Sequence, residues 1–194
     1  MGMDCPLPEE LPVRDRLLNA AEAVVARDGV SNLTLETVAR EAGVSKGGLL
    51  YHFPSKSALI SAIVERLGER CQQEQARVLA GDTGKPGAFA RAYLAIRSEP
   101  VDPQTRPMHI ALLAAAGTDP QYLEPFRRRL VEWQQRLEAD GIDPVTATVV
   151  RLAIDGLGLM SLLGLPGPEG ELRQKVIERL REMTEIKPEN RSGT

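Results

Sequence analysis

Apolar residues recur at every third or fourth position along most of this chain, and each stripe is bounded by residues that start or stop helices. Leu17, Ala21 and Val24 share one face, with Leu18 and Val25 beside them. Pro12 sits at the first turn of that helix and Gly29 supplies its stop. Leu35, Val38, Ala39 and Ala42 form a second stripe, with Thr34 as a hydroxyl N-cap and Gly43 at the end. Ser45 caps a third, short helix with Val44, Leu49 and Phe53 on its inward side, and Pro54 ends it. Ser55 then caps a long fourth helix carrying Leu59, Ile60, Ile63, Val64 and Leu67 as far as Val78–Leu79.

The run GDTGKPG, Gly81 to Gly87, interrupts the pattern, which then resumes. Phe89, Ala92, Tyr93 and Ile96 mark a short amphipathic helix closed by EPVDP. Met108 to Ala116 is nearly uncharged and reads as a helix buried on most sides. Asp119–Pro120 starts the next, which carries Tyr122, Leu123, Phe126, Leu130, Trp133 and Leu137 and ends at Asp140–Gly141. Val145 to Leu165 and Leu172 to Met183 are the last two, separated by PGPEG. Alternating runs of β-branched and aromatic residues are not evident, so the fold class is all-α.

Charge does not announce a nucleic-acid partner. The net charge is −3, and residues 1–60 hold six basic against eight acidic residues. A DNA reading therefore rests on where particular residues sit, not on a basic footprint. Cys5 and Cys71 are isolated thiols without metal-ligand spacing, in keeping with a reducing compartment. MGMDCPLPEELP lacks the basic start and apolar run of a signal peptide. The most apolar stretch, Ala153 to Leu165, is interrupted by Asp155 and glycines and is short for a membrane span. A cytoplasmic location is expected, with disorder at residues 1–11 and 187–194.

Gly47 and Gly48 stand where the third helix begins, although each costs about 1 kcal/mol against alanine inside a helix. Two short helices joined by Gly43-Val44-Ser45 have the dimensions of a helix-turn-helix, whose second helix enters the major groove of DNA. The N-terminus of such a helix presents free backbone N–H groups to phosphate, and residues without side chains admit close approach. Lys46 is the long basic side chain at that head, suited to a base or a phosphate. Tyr51 offers a hydroxyl to phosphate or a ring that braces the helix, and His52 a phosphate contact or a cap. Thr34 and Ser45 read as caps first and phosphate contacts second. Lys56, in the first turn of the fourth helix, opposes the helix dipole unless a phosphate lies beside it.

The string GVSNLTLETVAREAGVSKGGLLYHFPSKSAL resembles the DNA-binding segment of the tetracycline-repressor (TetR) family of bacterial transcriptional regulators. Gly29-Val30, Thr34-Leu35, Val38-Ala39, Ala42-Gly43-Val44-Ser45 and Tyr51-His52-Phe53 fall in the family's register, as do Lys56 and Leu59. The remainder matches in length and helical layout alone. The resemblance implies a three-helix DNA-binding domain, residues 12–58, and a larger helical ligand-binding and dimerisation domain, residues 59–186. The seam falls inside the fourth helix, because no flexible linker precedes it. Also implied are a homodimer on a near-palindromic operator, release by a small-molecule effector, most commonly from repression, and no cofactor. The chain departs from the family pattern at Gly48, where threonine is frequent, and at Leu50, where an aromatic is usual. Fewer hydroxyls then face DNA, Leu50 is suited to a thymine methyl, and DNA shape carries part of the specificity.

In the second domain Tyr93, Met108, His109, Leu112, Phe126 and Trp133 have the composition of a pocket wall, although such positions at helical spacing are more often plain core. Ala153, Gly156 and Leu157, with the stripe Leu172, Val176, Leu180 and Met183, suit a four-helix interface between subunits or packing within one. Asp155 needs a partner, either Arg151 or an arginine of a second subunit. An enzyme fits poorly: His52 and His109 have neither nucleophile–base nor metal-ligand spacing, and no phosphate-cradling glycine loop is present in the sequence. A helical ligand carrier or interaction module is the competing reading, and it predicts no salt-dependent DNA binding.

Overall fold

The structure, a computed structural model, describes residues 11–82, 84–99 and 101–185, the side chain of Thr118 excepted. Of the termini expected to be disordered, residues 1–10 and 187–194 lie outside the described residues. The elements are α1 (Val13–Asp28), α2 (Leu35–Glu41), α3 (Lys46–His52), α4 (Lys56–Leu79) and α5 (Ala88–Ser98). They continue with α6 (Arg106–Thr118), α7 (Glu124–Glu138), α8 (Pro144–Leu163) and α9 (Gly170–Met183). Short 3-10 turns at Val30–Asn32 and Pro120–Leu123 are additional, and the described residues contain no strand.

Two boundaries differ from the sequence reading. Pro12 is the N-cap of α1 instead of its first helical residue. The helix expected from Asp119–Pro120 is divided, with the 3-10 turn first and α7 beginning at Glu124. Pro125, at the first turn of α7, explains the division. It has no N–H to continue a helix arriving from Pro120, and its ring would strike the carbonyl one turn back.

The chain divides into two units: residues 1–64 with 107–122, and residues 65–106 with 123–194. The division falls within α4, between Val64 and Glu65, and α6 groups with the first unit.

In the first unit α1 packs on α2 and α2 on α3. Leu17, Leu18, Val24, Val25, Val38, Leu49, Leu59, Ile60 and Ile63 are buried. The turn between α2 and α3 closes locally. Gly43 takes φ +64°, a left-handed backbone that glycine adopts without a side-chain clash. The Val44 N–H then donates to Ala39 O at 2.9 Å and the Gly43 N–H to Arg40 O at 3.2 Å, which satisfies the last carbonyls of α2.

In the second unit α5, α7, α8 and α9 enclose Phe89, Tyr93, Leu94, Trp133, Leu137, Ala147, Val150, Ile154 and Leu180. The head of α5 is capped from far along the chain: the Asp140 carboxylate accepts from the N–H groups of Phe89 (2.9 Å) and Ala90 (2.8 Å). Gly87, at φ +77°, lets the loop pass so close to the Thr184 carbonyl that a Cβ would collide with it. Arg129 is buried and donates to Gln72 Oε1 at 2.8 Å and Glu65 Oε1 at 3.1 Å. Its guanidinium stands 2.5–2.8 Å from where a Cβ of Gly68 would be, so a side chain there would require Arg129 to shift.

Candidate functional site

The head of α3 is built by short-range bonds. Ser45 Oγ accepts from the Gly48 N–H at 3.1 Å, Thr34 Oγ1 from the Thr37 N–H at 3.1 Å, and Ser55 Oγ from the Ala58 N–H at 3.0 Å. Each hydroxyl satisfies one of the amides that a helix start leaves unpaired. Leu49 and Phe53 are buried and anchor α3, with the Arg14 guanidinium 5.6 Å above the Phe53 ring. The opposite side of α3 faces solvent. Tyr51 is 86% exposed, which excludes a buried structural role, and its ring meets His52 edge-on at 5.1 Å. Leu50 is exposed and His52 half-buried.

The two glycines differ. A Cβ on Gly47 meets nothing within 4 Å, whereas one on Gly48 would stand 2.9 Å from Val44 Cγ1 and 3.3 Å from Ser45 Oγ. Gly47 leaves open backbone at the helix head, while Gly48 also accommodates the turn. The two lysines have partners. Lys46 Nζ lies 2.5 Å from Glu36 Oε1, and Lys56 Nζ donates to the Ser31 carbonyl at 3.1 Å. That hydrogen bond from Lys46 holds the Glu36 carboxyl below its ordinary value. The structure thus brings Ser45, Lys46, Gly47, Gly48, Leu50, Tyr51 and His52 together on one short helix, with Thr34 and Lys56 capping or opening its neighbours. Glu36 was missed; nothing in helical spacing links it to Lys46.

In the second unit Tyr93, Phe126 and Trp133 come together: Tyr93–Trp133 and Phe126–Trp133 are edge-on pairs at 5.7 and 6.5 Å. Met108, His109 and Leu112 lie on α6, in the first unit, and His109 is half-buried. Asp155 finds partners within the subunit. The Tyr93 hydroxyl donates to Oδ1 at 2.7 Å, Arg151 Nε lies 3.6 Å from Oδ2 and Arg97 Nε 3.8 Å from Oδ1. Burial pushes the Tyr93 phenol up to about 12, against the pull of the Arg97 charge. Arg97 and Tyr93 were not foreseen as partners of Asp155.

The stripes read as a subunit interface, or as packing within one subunit, divide between packed and exposed positions. Ala153, Leu157, Val176, Leu180 and Met183 pack on their own subunit's core, while Gly156 and Leu172 are exposed. The physical reason is that α8 is apolar nearly all round, so spacing does not reveal its inward side. Ala147, Val150 and Ile154 are buried. Val145, Val149, Leu152, Leu159 and Leu163 are exposed, with Gly156 completing their row. By length and composition alone α8 would suffice to cross a membrane.

These features define an all-helical protein with an N-terminal helix-turn-helix and a larger helical body. Residues 17–63 match the family model described as bacterial regulatory proteins, tetR family, and residues 87–185 that described as tetracyclin repressor-like, C-terminal domain. The chain belongs to the TetR family. The HTH-type transcriptional regulator UidR of Escherichia coli (strain K12) is 36% identical over 78 residues, covering 40% of this chain and 36% of UidR. The match thus spans little more than a third of that relative. The solved structure of SCO7518 from Streptomyces coelicolor A3(2) shares the fold, with a TM-score of 0.71 at 23% identity, covering 90% of this chain and 99% of that one. The multidrug binding protein EbrR, solved in complex with imidazole, has a TM-score of 0.64 at 25% identity, covering 93% and 99%.

Proposed function

We propose that this chain is a cytoplasmic, DNA-binding transcriptional regulator, a homodimeric repressor of a near-palindromic operator that a small molecule releases. The observation that carries the DNA reading is the head of α3: open backbone at Gly47, an exposed Tyr51 and Leu50, and Lys46 on one solvent-facing side of a helix anchored by Leu49 and Phe53. Backbone N–H groups and the Tyr51 hydroxyl suit phosphates, while Lys46 and Leu50 suit base edges. Residues 12–58 then form the DNA-reading domain and residues 59–186 the effector and dimerisation domain.

The row Val145, Val149, Leu152, Gly156, Leu159 and Leu163 supports the dimer. A contiguous exposed apolar row marks a protein interface, and one row meeting its two-fold copy is self-complementary. A membrane is a poorer fit, because the other side of α8 is buried in the core and Asp155 is bound to Tyr93. Two heads at fixed separation would read successive major grooves. For release, the effector must favour the DNA-incompetent state, by a coupling of about 1–3 kcal/mol.

Selection of bound duplexes from a random DNA pool tests this, with the double variant Lys46→Ala/Tyr51→Ala in parallel. A two-fold symmetric motif lost in the variant is the expected result. A folded dimer, stripped of ligand by refolding, that selects no motif would favour a helical carrier instead.

A further inference from the structure

Glu36 and Lys46 belong to different helices, α2 and α3, yet their charged groups meet at 2.5 Å with side chains 63% and 60% exposed. An ion pair so open to solvent contributes little to stability, so the fold does not require the carboxylate. The hydroxyls nearby are already used: Ser45 Oγ accepts from the Gly48 N–H and Thr34 Oγ1 from the Thr37 N–H. The hydrogen bond from Lys46 holds the Glu36 carboxyl below its ordinary value, so the group is ionised and acts as an acceptor alone.

On a face turned to DNA such a charge is repelled by phosphate unless it meets a donor. The base edges of the major groove offer two kinds, the amino groups of cytosine N4 and adenine N6. Lys46 and Glu36 present a donor and an acceptor side by side. A G·C pair presents the complement, guanine O6 beside cytosine N4, themselves hydrogen-bonded and about 3 Å apart. When Lys46 turns from Glu36 to guanine, the groove-facing N4–H replaces it at the carboxylate. Both members of the broken ion pair are then satisfied. An A·T pair serves less well at either end. Adenine N7 lies beside N6 and repels the carboxylate, and the thymine methyl crowds the O4 that the ammonium needs.

Building on the reading of α3 as a DNA-contacting helix, we propose that Glu36 and Lys46 jointly read one G·C base pair in each half of the operator. Glu36 accepts from cytosine N4, and Lys46 donates to guanine O6 and N7. Glu36 is thus a specificity-determining residue supplied by α2, outside the helix that carries Lys46, Leu50 and Tyr51.

Selection from a random duplex pool with the full-length parent chain, Glu36→Gln and Glu36→Ala tests this, followed by titration of the selected duplexes. The position is exposed, so the circular dichroism spectra of the variants should match that of the parent. The parent motif should contain one cytosine per half-site, preferred over adenine by about tenfold. Glu36→Gln should move that position alone to adenine, because an amide pairs with both N6 and N7. Glu36→Ala should lose the preference there and keep the rest of the motif. N4-methylcytosine at that position replaces the groove-facing hydrogen, so it should weaken the parent and leave Glu36→Ala unchanged. The same base preferences in all three proteins, or equal sensitivity of parent and Glu36→Ala to N4-methylcytosine, overturns the proposal. A symmetric motif that is indifferent to Glu36 removes this inference alone. No motif from a refolded parent dimer removes the regulator reading, and this inference with it.

Discussion

Lys46 Nζ and Glu36 Oε1 stand 2.5 Å apart, so the lysine at the head of α3 is tied to a carboxylate of α2. On the proposed DNA reading, DNA takes Lys46 from Glu36 and brings its phosphates near that carboxylate. On that reading Glu36 opposes indiscriminate binding. Glu36→Gln is expected to raise affinity for random DNA several-fold, and proportionately more than affinity for the selected operator. Lys46→Ala should lower operator affinity by about tenfold. Titrations at several salt concentrations check both; equal affinities for Glu36→Gln and the parent chain would show that the pair does not restrain Lys46.

Gly47 separates stability from function. A Cβ there meets nothing within 4 Å, so Gly47→Ala should stabilise the fold by about 1 kcal/mol, the helix-propensity difference. The added methyl would stand between helix backbone and phosphate, and operator affinity should fall. Gly48→Ala should give a smaller gain, because Val44 must turn to make room. A stabilised Gly47→Ala protein with undiminished DNA affinity would mean that DNA does not approach this backbone.

Two leucines distinguish interface from core. Leu152 is 60% exposed on α8, so Leu152→Glu should give folded monomers in sedimentation. Leu180 is buried in the second unit, and Leu180→Glu should unfold that unit instead of dissociating a dimer. A persistent Leu152→Glu dimer would place the interface elsewhere.

Alkaline pH should expose the burial of Tyr93. Its phenol titrates near 10.0 when unfolded and at about 12 when folded. The raised value means that the folded chain holds the proton longer, so the contribution is complete below pH 10.0 and is lost as pH climbs toward 12. The loss amounts to roughly 2–3 kcal/mol. Urea unfolding across that range should show a steeper decline for the parent chain than for Tyr93→Phe, and equal slopes would contradict the assignment.

The sequence by itself determined the helical elements and the helix-turn-helix, because the signals act within one turn. Thr34, Ser45 and Ser55 cap the helices they precede, and Gly43-Val44 closes α2 through bonds at most five residues long. The same locality made the motif from Gly29 to Leu59 legible. What failed locally failed for a local reason too: Pro125 cuts an apolar stripe that spacing alone would continue.

Tertiary structure alone decided the rest. Helical spacing identifies an apolar face when the others are polar, but α8 is apolar on several, and only packing reveals that Ala147, Val150 and Ile154 turn inward while Leu152 and Leu159 do not. Pairings between distant segments have no signature in periodicity: Glu36 with Lys46, Asp140 with the head of α5, and Tyr93 with Asp155. Whether a polar side chain among packed helices is satisfied, as half-buried Asp155 is and buried Gln75 is not, depends on which atoms the fold brings within about 3 Å, and that is a property of packed helices, not of any one of them.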